Sequence, residues 1–309
     1  MDTTGDRLEV AERPASHVTA SGHSRVRGTG ARLRPGRLGE LARRARQLVR
    51  DPGNVLAMVF ISSLLLRAVW LNVPSSGLIF DEAYYVNAAR VILGLEATSH
   101  YADAAPGFDP NTEHPALGKL ILAGSIAVVG DNSVGWRLPS VIFGMIALAA
   151  VYLIARDSSK SAWLPVAVTA LVAFDNLTFV HGRIGTLDML VLAPMLVGAW
   201  LALRRRWILA GVAMGIALLI KITAIYAVGA VILYWLLTDG LEWLRARRRP
   251  QLDDVRGPVG FVVITLSIML GGLTILDATL SQFPSPVDHI ARILTYGASL
   301  KAPITVGHC

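Results

Sequence analysis

Asp81 and Glu82 are adjacent acids within Ile79-Phe80-Asp81-Glu82-Ala83-Tyr84-Tyr85, between apolar and aromatic residues just beyond a hydrophobic span. Two carboxylates beside a membrane are costly unless water, cations or a reaction makes use of them. The pair is therefore the first candidate for chemistry. Asp81 follows Pro74, Ser75, Ser76 and Gly77 and precedes a helix-like pattern of Tyr84, Tyr85, Ala88, Val91 and Ile92. It also reads as a helix N-cap, with Glu82 as a first-turn acid facing the helix dipole. Capping and catalysis can coexist, because a cap fixes where a carboxylate points.

A second cluster is Glu113-His114-Pro115-Ala116-Leu117-Gly118-Lys119, where Pro115 and Gly118 mark a turn into a short helix. It is either a polar helix start with Lys119 reaching to headgroups, or part of an anion site built from His114 and Lys119. Arg137 follows Trp136 at the opening of a span, and Arg183 lies five residues before Asp188 in the link after another. Each has an ordinary reading: Arg137 as an interface anchor, Arg183 as a partner of Asp188. Yet Arg67, Lys119, Arg137 and Arg183 all fall on the side otherwise rich in acids, a grouping better explained by a bound anion. His114, Glu113, Asp81 and Asp188 could surround a divalent cation with nitrogen and oxygen ligands, although no HExxH-like spacing supports one. The metal is left unknown. No phosphate loop of the GxxxxGK[ST] or GxGxxG kind is present, so any energy source must arrive in the membrane.

The elements that must position these residues are helices in lipid. The chain of 309 residues is 53% hydrophobic and 17% charged, with a positive mean hydropathy. These values lie outside the soluble globular range and predict an all-α polytopic membrane protein. The net charge of +7 comes from a tail and short loops, which argues against a nucleic-acid partner. Cys309 is the only cysteine, so no internal disulfide framework or cysteine metal site exists. Residues 1–50 hold eleven Arg against five acids and are expected to form a disordered basic cytoplasmic tail, ending in an interfacial helix over 38–50.

An apolar span needs about 20 residues. Seven runs are expected to cross: 54–73, 138–155, 162–180, 187–203, 207–220, 222–237 and 259–276. The connections around 156–160, 204–206 and 245–256 hold ten Lys and Arg, which places them, and the N-terminus, in the cytoplasm. Asp81-Glu82, the 181–188 link, Lys221 and the stretch from Asp277 then fall outside. The run at 117–129 is short for a span, so 72–137 is expected to be one outer loop whose helices lie in the membrane surface. A further short helix is expected over 287–296.

The ordered set Arg67, Phe80-Asp81-Glu82, His114-Pro115-Ala116-Leu117-Gly118-Lys119, Gly135-Trp136-Arg137-Leu138-Pro139-Ser140 and Arg183 with Leu187-Asp188 resembles the N-terminal half of the polyprenyl-phosphate-mannose protein O-mannosyltransferases. Ala116 stands where that family usually has a second proline. The resemblance implies a GT-C-type transmembrane domain over 51–309 and makes Asp81 the catalytic base, with Glu82 beside it for acceptor binding or orientation. It implies a polyprenyl-phosphate-linked sugar donor, a secreted or membrane protein acceptor and an active site on the outer face of the cell membrane. A Ser or Thr hydroxyl is a weak nucleophile, and an adjacent carboxylate can take its proton as it attacks the anomeric carbon with inversion. Lys119, Arg137 and Arg183, with Arg67 and His114, are the groups expected to meet the leaving lipid phosphate. Members of the family continue beyond this point, so the chain, which stops at Cys309, is expected to be truncated. Competing readings are transfer to a lipid or cell-wall glycan, a transporter or flippase, and an inactive membrane scaffold.

Overall fold

The computed structural model describes residues 37–98, 100–281 and 283–299. Most of the basic tail and the end of the chain with Cys309 lie outside them. The chain divides into a unit Met1–Ala45 and a main body Arg46–Cys309. Helix α1, Arg37–Leu48, covers the stretch where an interfacial helix was expected. All regular elements among the described residues are helical.

The main body begins with α2, Pro52–Ala68. Asp51 starts it by accepting from the N–H groups of Gly53 and Asn54 at 2.7 and 3.1 Å, with Pro52 preset for the first turn. The expected span over 54–73 thus unwinds at Val69. Helices α3, Glu82–Ile92, and α4, Leu117–Val129, follow. Helix α5, Ser133–Asp157, is capped by Asn132, whose side chain accepts from Val134 and Gly135.

The run 162–180 does not form one helix. It divides into α6, Leu164–Phe174, and α7, Asn176–His181. Asp175 between them is extended, and its carboxylate caps α7 through the Thr178 N–H at 2.9 Å. Helices α8, Leu187–Leu203, and α9, Trp207–Ile220, have the bounds expected from their apolar runs. A 3-10 turn leads into α10, Ile225–Trp235, which continues through a π-turn into α11, Leu241–Arg245. Helix α12, Leu252–Leu280, opens on a capping box of Gln251 and Asp254, and α13, Pro286–Ser299, follows.

Among the described residues three helices are long and apolar enough to cross a membrane: α5, the continuous stretch Ile222–Arg245, and α12; five shorter apolar helices accompany them. Helix α9 is the hub, packed on α12 and α8, with α5 against the far side of α8. Its Ala210, Met214, Ala217 and Leu218 are wholly buried. The outward apolar side chains, such as Leu171, Ile208 and Ile275, are exposed, as expected where lipid is the solvent.

The bundle has two chemically distinct ends. At one, Lys221 after α9 meets Asp188 at the start of α8. At the other, Arg204 pairs with Asp157 at 3.2 Å and Arg205 with Asp239 at 2.7 Å, so the Arg-rich connections gather together. Both ends of α4 remain at the acid-rich end: Lys119 in its first turn lies near His114, and Gly130 after it leads through Asn132 directly into α5.

Candidate active site

At the acid-rich end a cavity of about 520 Å3 is lined by Asp81, Tyr85, His114, Lys221 and, from α13, Tyr296. Glu113 also faces it. Asp81 occupies the position before α3, but its backbone is helical and its side chain makes no capping bond. The expected side-chain cap is not made; Glu82 instead closes the preceding turn, its Oε2 accepting from the Ile79 N–H at 2.8 Å. Phe80 between them has a φ of 52° and is exposed. A left-handed backbone is uncommon for a bulky residue, and such strain gathers at functional sites.

The two acids therefore separate. Asp81 is half-buried in the cavity with no hydrogen bond to its carboxylate among the described residues. Burial raises its pKa above the ordinary carboxylate value; the nearby charge of Asp188 raises it further, and Lys221 and His181 offset part of the rise. Glu82 is fully buried. Arg137 donates to it from Nε at 2.8 Å and from Nη2 at 3.0 Å, and the Gly185 N–H donates at 2.7 Å. Gly185 is required for that approach, because a Cβ there would lie 2.7 Å from the Trp136 carbonyl oxygen.

The four expected cations gather only in part: Arg137 and Arg183 share the lining of one cavity, and Arg67 and Arg183 lie over the same Phe179 ring, while Lys119 stands apart. Arg137 is wholly buried, and besides Glu82 its guanidinium donates to the carbonyls of Leu71 and Val73, both at 3.0 Å. Lys119 is wholly buried, ion-paired to Asp109 and donating to the carbonyls of Asn111 and His114. Arg67 is buried against Ser63 and the carbonyls of Ala173 and Thr178. All three are tied to partners inside the fold, for the physical reason that a buried cation must be paired and hydrogen-bonded. Arg183 alone of the four stays partly open. It donates to the Val69 carbonyl at 2.6 Å, lies over the Phe179 ring at 5.4 Å and, together with Arg137, Trp70 and Ile79, lines a cavity of about 280 Å3 distinct from that of Asp81.

The cation that does face Asp81's cavity is Lys221. Its ammonium donates to Asp188 at 2.9 Å, and Asp188 also meets His181 Nδ1 at 2.9 Å. The residue was legible in sequence only as a lone lysine between two apolar runs, and Tyr85 and Tyr296 had no such signal. His114, packed near the Tyr85 ring, is held neutral: burial, with the charges of Lys221 and Lys119, pushes its pKa down to about 3. Among the described residues no three His, Cys, Asp or Glu side chains form a group that could hold a metal ion. Asp81, Glu113, His114 and Asp188 thus line one region without forming a cation cage.

Comparison with known proteins bears on the same region. Residues 113–252 match the family model of the dolichyl-phosphate-mannose-protein mannosyltransferases. This range contains His114, Lys119, Arg137, Arg183, Asp188 and Lys221, whereas Asp81 and Glu82 precede it. The chain is similar to polyprenol-phosphate-mannose--protein mannosyltransferases of three organisms. Identity to the Mycobacterium tuberculosis protein is 32% over 110 residues, 36% of this chain and 20% of that one. For Corynebacterium glutamicum it is 29% over 152 residues, 48% of this chain and 29% of that one. For Mycolicibacterium smegmatis it is 31% over 111 residues, 36% and 20% of the two chains. The matched part thus spans between 20% and 29% of the length of these relatives. No solved structure gives a significant match.

Proposed function

We propose that the chain is a membrane glycosyltransferase, or the part of one that carries its base, moving mannose from a polyprenyl-phosphate carrier to Ser or Thr hydroxyls of a secreted or membrane protein. The observation that carries this reading is the unengaged carboxylate of Asp81 in a cavity shared with Lys221, in a chain similar to proteins of that name. The acceptor hydroxyl enters the cavity and gives its proton to Asp81 as its oxygen bonds to the anomeric carbon. The bond from that carbon to the phosphate oxygen breaks, and its electron pair leaves with the lipid phosphate. A single displacement of this kind inverts the anomeric centre. The raised pKa of Asp81 suits a group that must take up a proton.

Lys221 supplies a fixed positive charge for the departing phosphate, and Asp188 holds its ammonium in place. Glu82, locked by Arg137 and Gly185, acts as a positioning residue that fixes the turn presenting Asp81. Charge bias supports an outer-face site, since the Arg-rich connections gather at the opposite end of the bundle.

The test is transfer of radiolabelled mannose from polyprenyl-phosphate-mannose to an acceptor peptide in membranes containing the chain. Asp81→Asn abolishes transfer with membrane insertion intact. Unchanged transfer by that variant refutes the base assignment.

A further inference from the structure

We propose that the Arg-rich end of the bundle carries a binding site for an anionic phospholipid, whose phosphodiester sits between Arg206 and Arg256. A cavity of about 540 Å3 opens where the first turn of α9 meets the start of α12, and both arginines line it. The neighbouring arginines are already engaged. Arg204 pairs with Asp157, Arg205 with Asp239 and Arg248 with Asp254. Arg206 and Arg256 are exposed and have no acidic partner among the described residues. The one carboxylate on the rim, Asp253, leaves the unengaged cations in excess and can accept a hydrogen bond from a headgroup hydroxyl.

The wall is built rather than incidental. The Trp207 indole packs edge-on against Phe261 with ring centroids 6.3 Å apart. On its other side stands Gly257, where a Cβ would come within 2.2 Å of the indole. Directly beyond the arginines, Ile208 and Leu209 are 64% and 54% exposed. Apolar side chains this open, two and three residues past Arg206, face acyl chains in a helical membrane protein. A soluble anion would satisfy the arginines and leave this apolar flank without a partner. The combination of cation, cavity and exposed apolar flank therefore selects a lipid, with its acyl chains along Ile208 and Leu209. This site is about one helix length from Asp81 and is independent of the base assignment.

The experiment uses the full chain in nanodiscs of phosphatidylcholine alone or mixed with phosphatidylglycerol, with bound lipid counted by native mass spectrometry. Phosphatidylglycerol is expected to be retained over phosphatidylcholine. Arg206→Gln and Arg256→Gln each reduce that preference about five-fold, the worth of one cation near an anionic headgroup. Their unfolding temperature in phosphatidylcholine is unchanged. Arg249→Gln, an exposed cation that does not line the cavity, keeps the preference. The proposal fails if Arg206→Gln and Arg256→Gln bind phosphatidylglycerol as the unaltered chain does, or if Arg249→Gln weakens it equally. It also fails if glycerol phosphate competes as well as the lipid, which would make the ligand a free anion. Should Arg256→Gln fail to fold, Ile208→Ser, which removes apolar flank and no charge, is expected to weaken phosphatidylglycerol binding against glycerol phosphate; no change there overturns the lipid assignment.

Discussion

Breaking the Glu82–Arg137 pair gives the sharpest test of how the site is held. Both side chains are essentially without solvent access, and four donor contacts converge on the Glu82 carboxylate: two from Arg137 and one each from Ile79 and Gly185. Removing one partner of such a buried pair strands the other charge and costs about 3–5 kcal/mol. That is a large fraction of an ordinary domain's stability of roughly 5–15 kcal/mol. Glu82→Gln leaves the guanidinium facing an amide; Arg137→Met leaves the carboxylate with two backbone N–H groups. The double variant strands neither charge. Its loss should therefore fall short of the sum of the single losses by at least about 1 kcal/mol. Unfolding in mixed micelles, followed by tryptophan fluorescence, measures all three variants. Single losses below about 1 kcal/mol, or a double variant additive to within about 0.5 kcal/mol, would refute the claim that the pair is a buried lock.

Four further outcomes are expected. Asp81→Asn lowers the transfer rate by about 10²–10⁴, the usual worth of a positioned general base, with the melting temperature little changed. Because Asp81 must be ionised to accept a proton and its pKa is raised, the acid limb of kcat/KM lies above the ordinary carboxylate value of about 4. Asp188→Asn removes a like charge and frees Lys221, so that limb moves to lower pH; a limb that stays put or rises contradicts the electrostatic reading. His114, with a pKa pushed down to about 3, is neutral in the folded chain while its unfolded form gains a proton below about 6.5. Stability therefore falls as pH drops from about 6.5 toward 3, and His114→Asn flattens that slope in an acid-unfolding titration. Gly185→Ala meets the Trp136 carbonyl, a backbone atom that cannot swing away. It should cost about 1–3 kcal/mol and lower transfer together with stability, whereas transfer at the unaltered rate would remove Gly185 from the site's support.

Hydropathy period and length were sufficient for α4, α8 and α9, whose ends coincide with the ends of their apolar runs. They failed at Asp175, where a local cap competes with an otherwise continuous run and divides it. Charge bias grouped Asp81, the 181–188 link and Lys221 on one side, and in the fold Asp81, His114 and Lys221 line one cavity with Asp188 paired to Lys221. What it could not give was the pairing. Arg137 finds Glu82 fifty-five positions away, and Arg67 finds the Ala173 carbonyl one hundred and six positions away. No local pattern encodes such partners. Of the cations on that side, Arg67, Lys119 and Arg137 hydrogen-bond the interior, and Arg137 with Arg183 also lines one cavity. Lys119 illustrates this on a shorter scale, since its acid, Asp109, lies in an irregular segment that hydropathy leaves featureless.

The separation of Asp81 from Glu82 follows from helix geometry. Successive residues at the start of a helix point about 100° apart, so two adjacent acids at the N-cap and first position of α3 cannot serve the same surroundings. The turn closed by the Ile79 N–H on Glu82 directs one side chain toward α5 and the backbone at Gly185. The other is left in the cavity. Glu82 is the longer acid, and it is the one that reaches Arg137 and two backbone donors together. Asp81, shorter and without a hydrogen bond to its carboxylate among the described residues, keeps its lone pairs open to the cavity. A pair of identical acids would satisfy the charge count equally well; on the proposed reading, the order of a short acid before a long one puts the buried lock and the base side by side on a single turn.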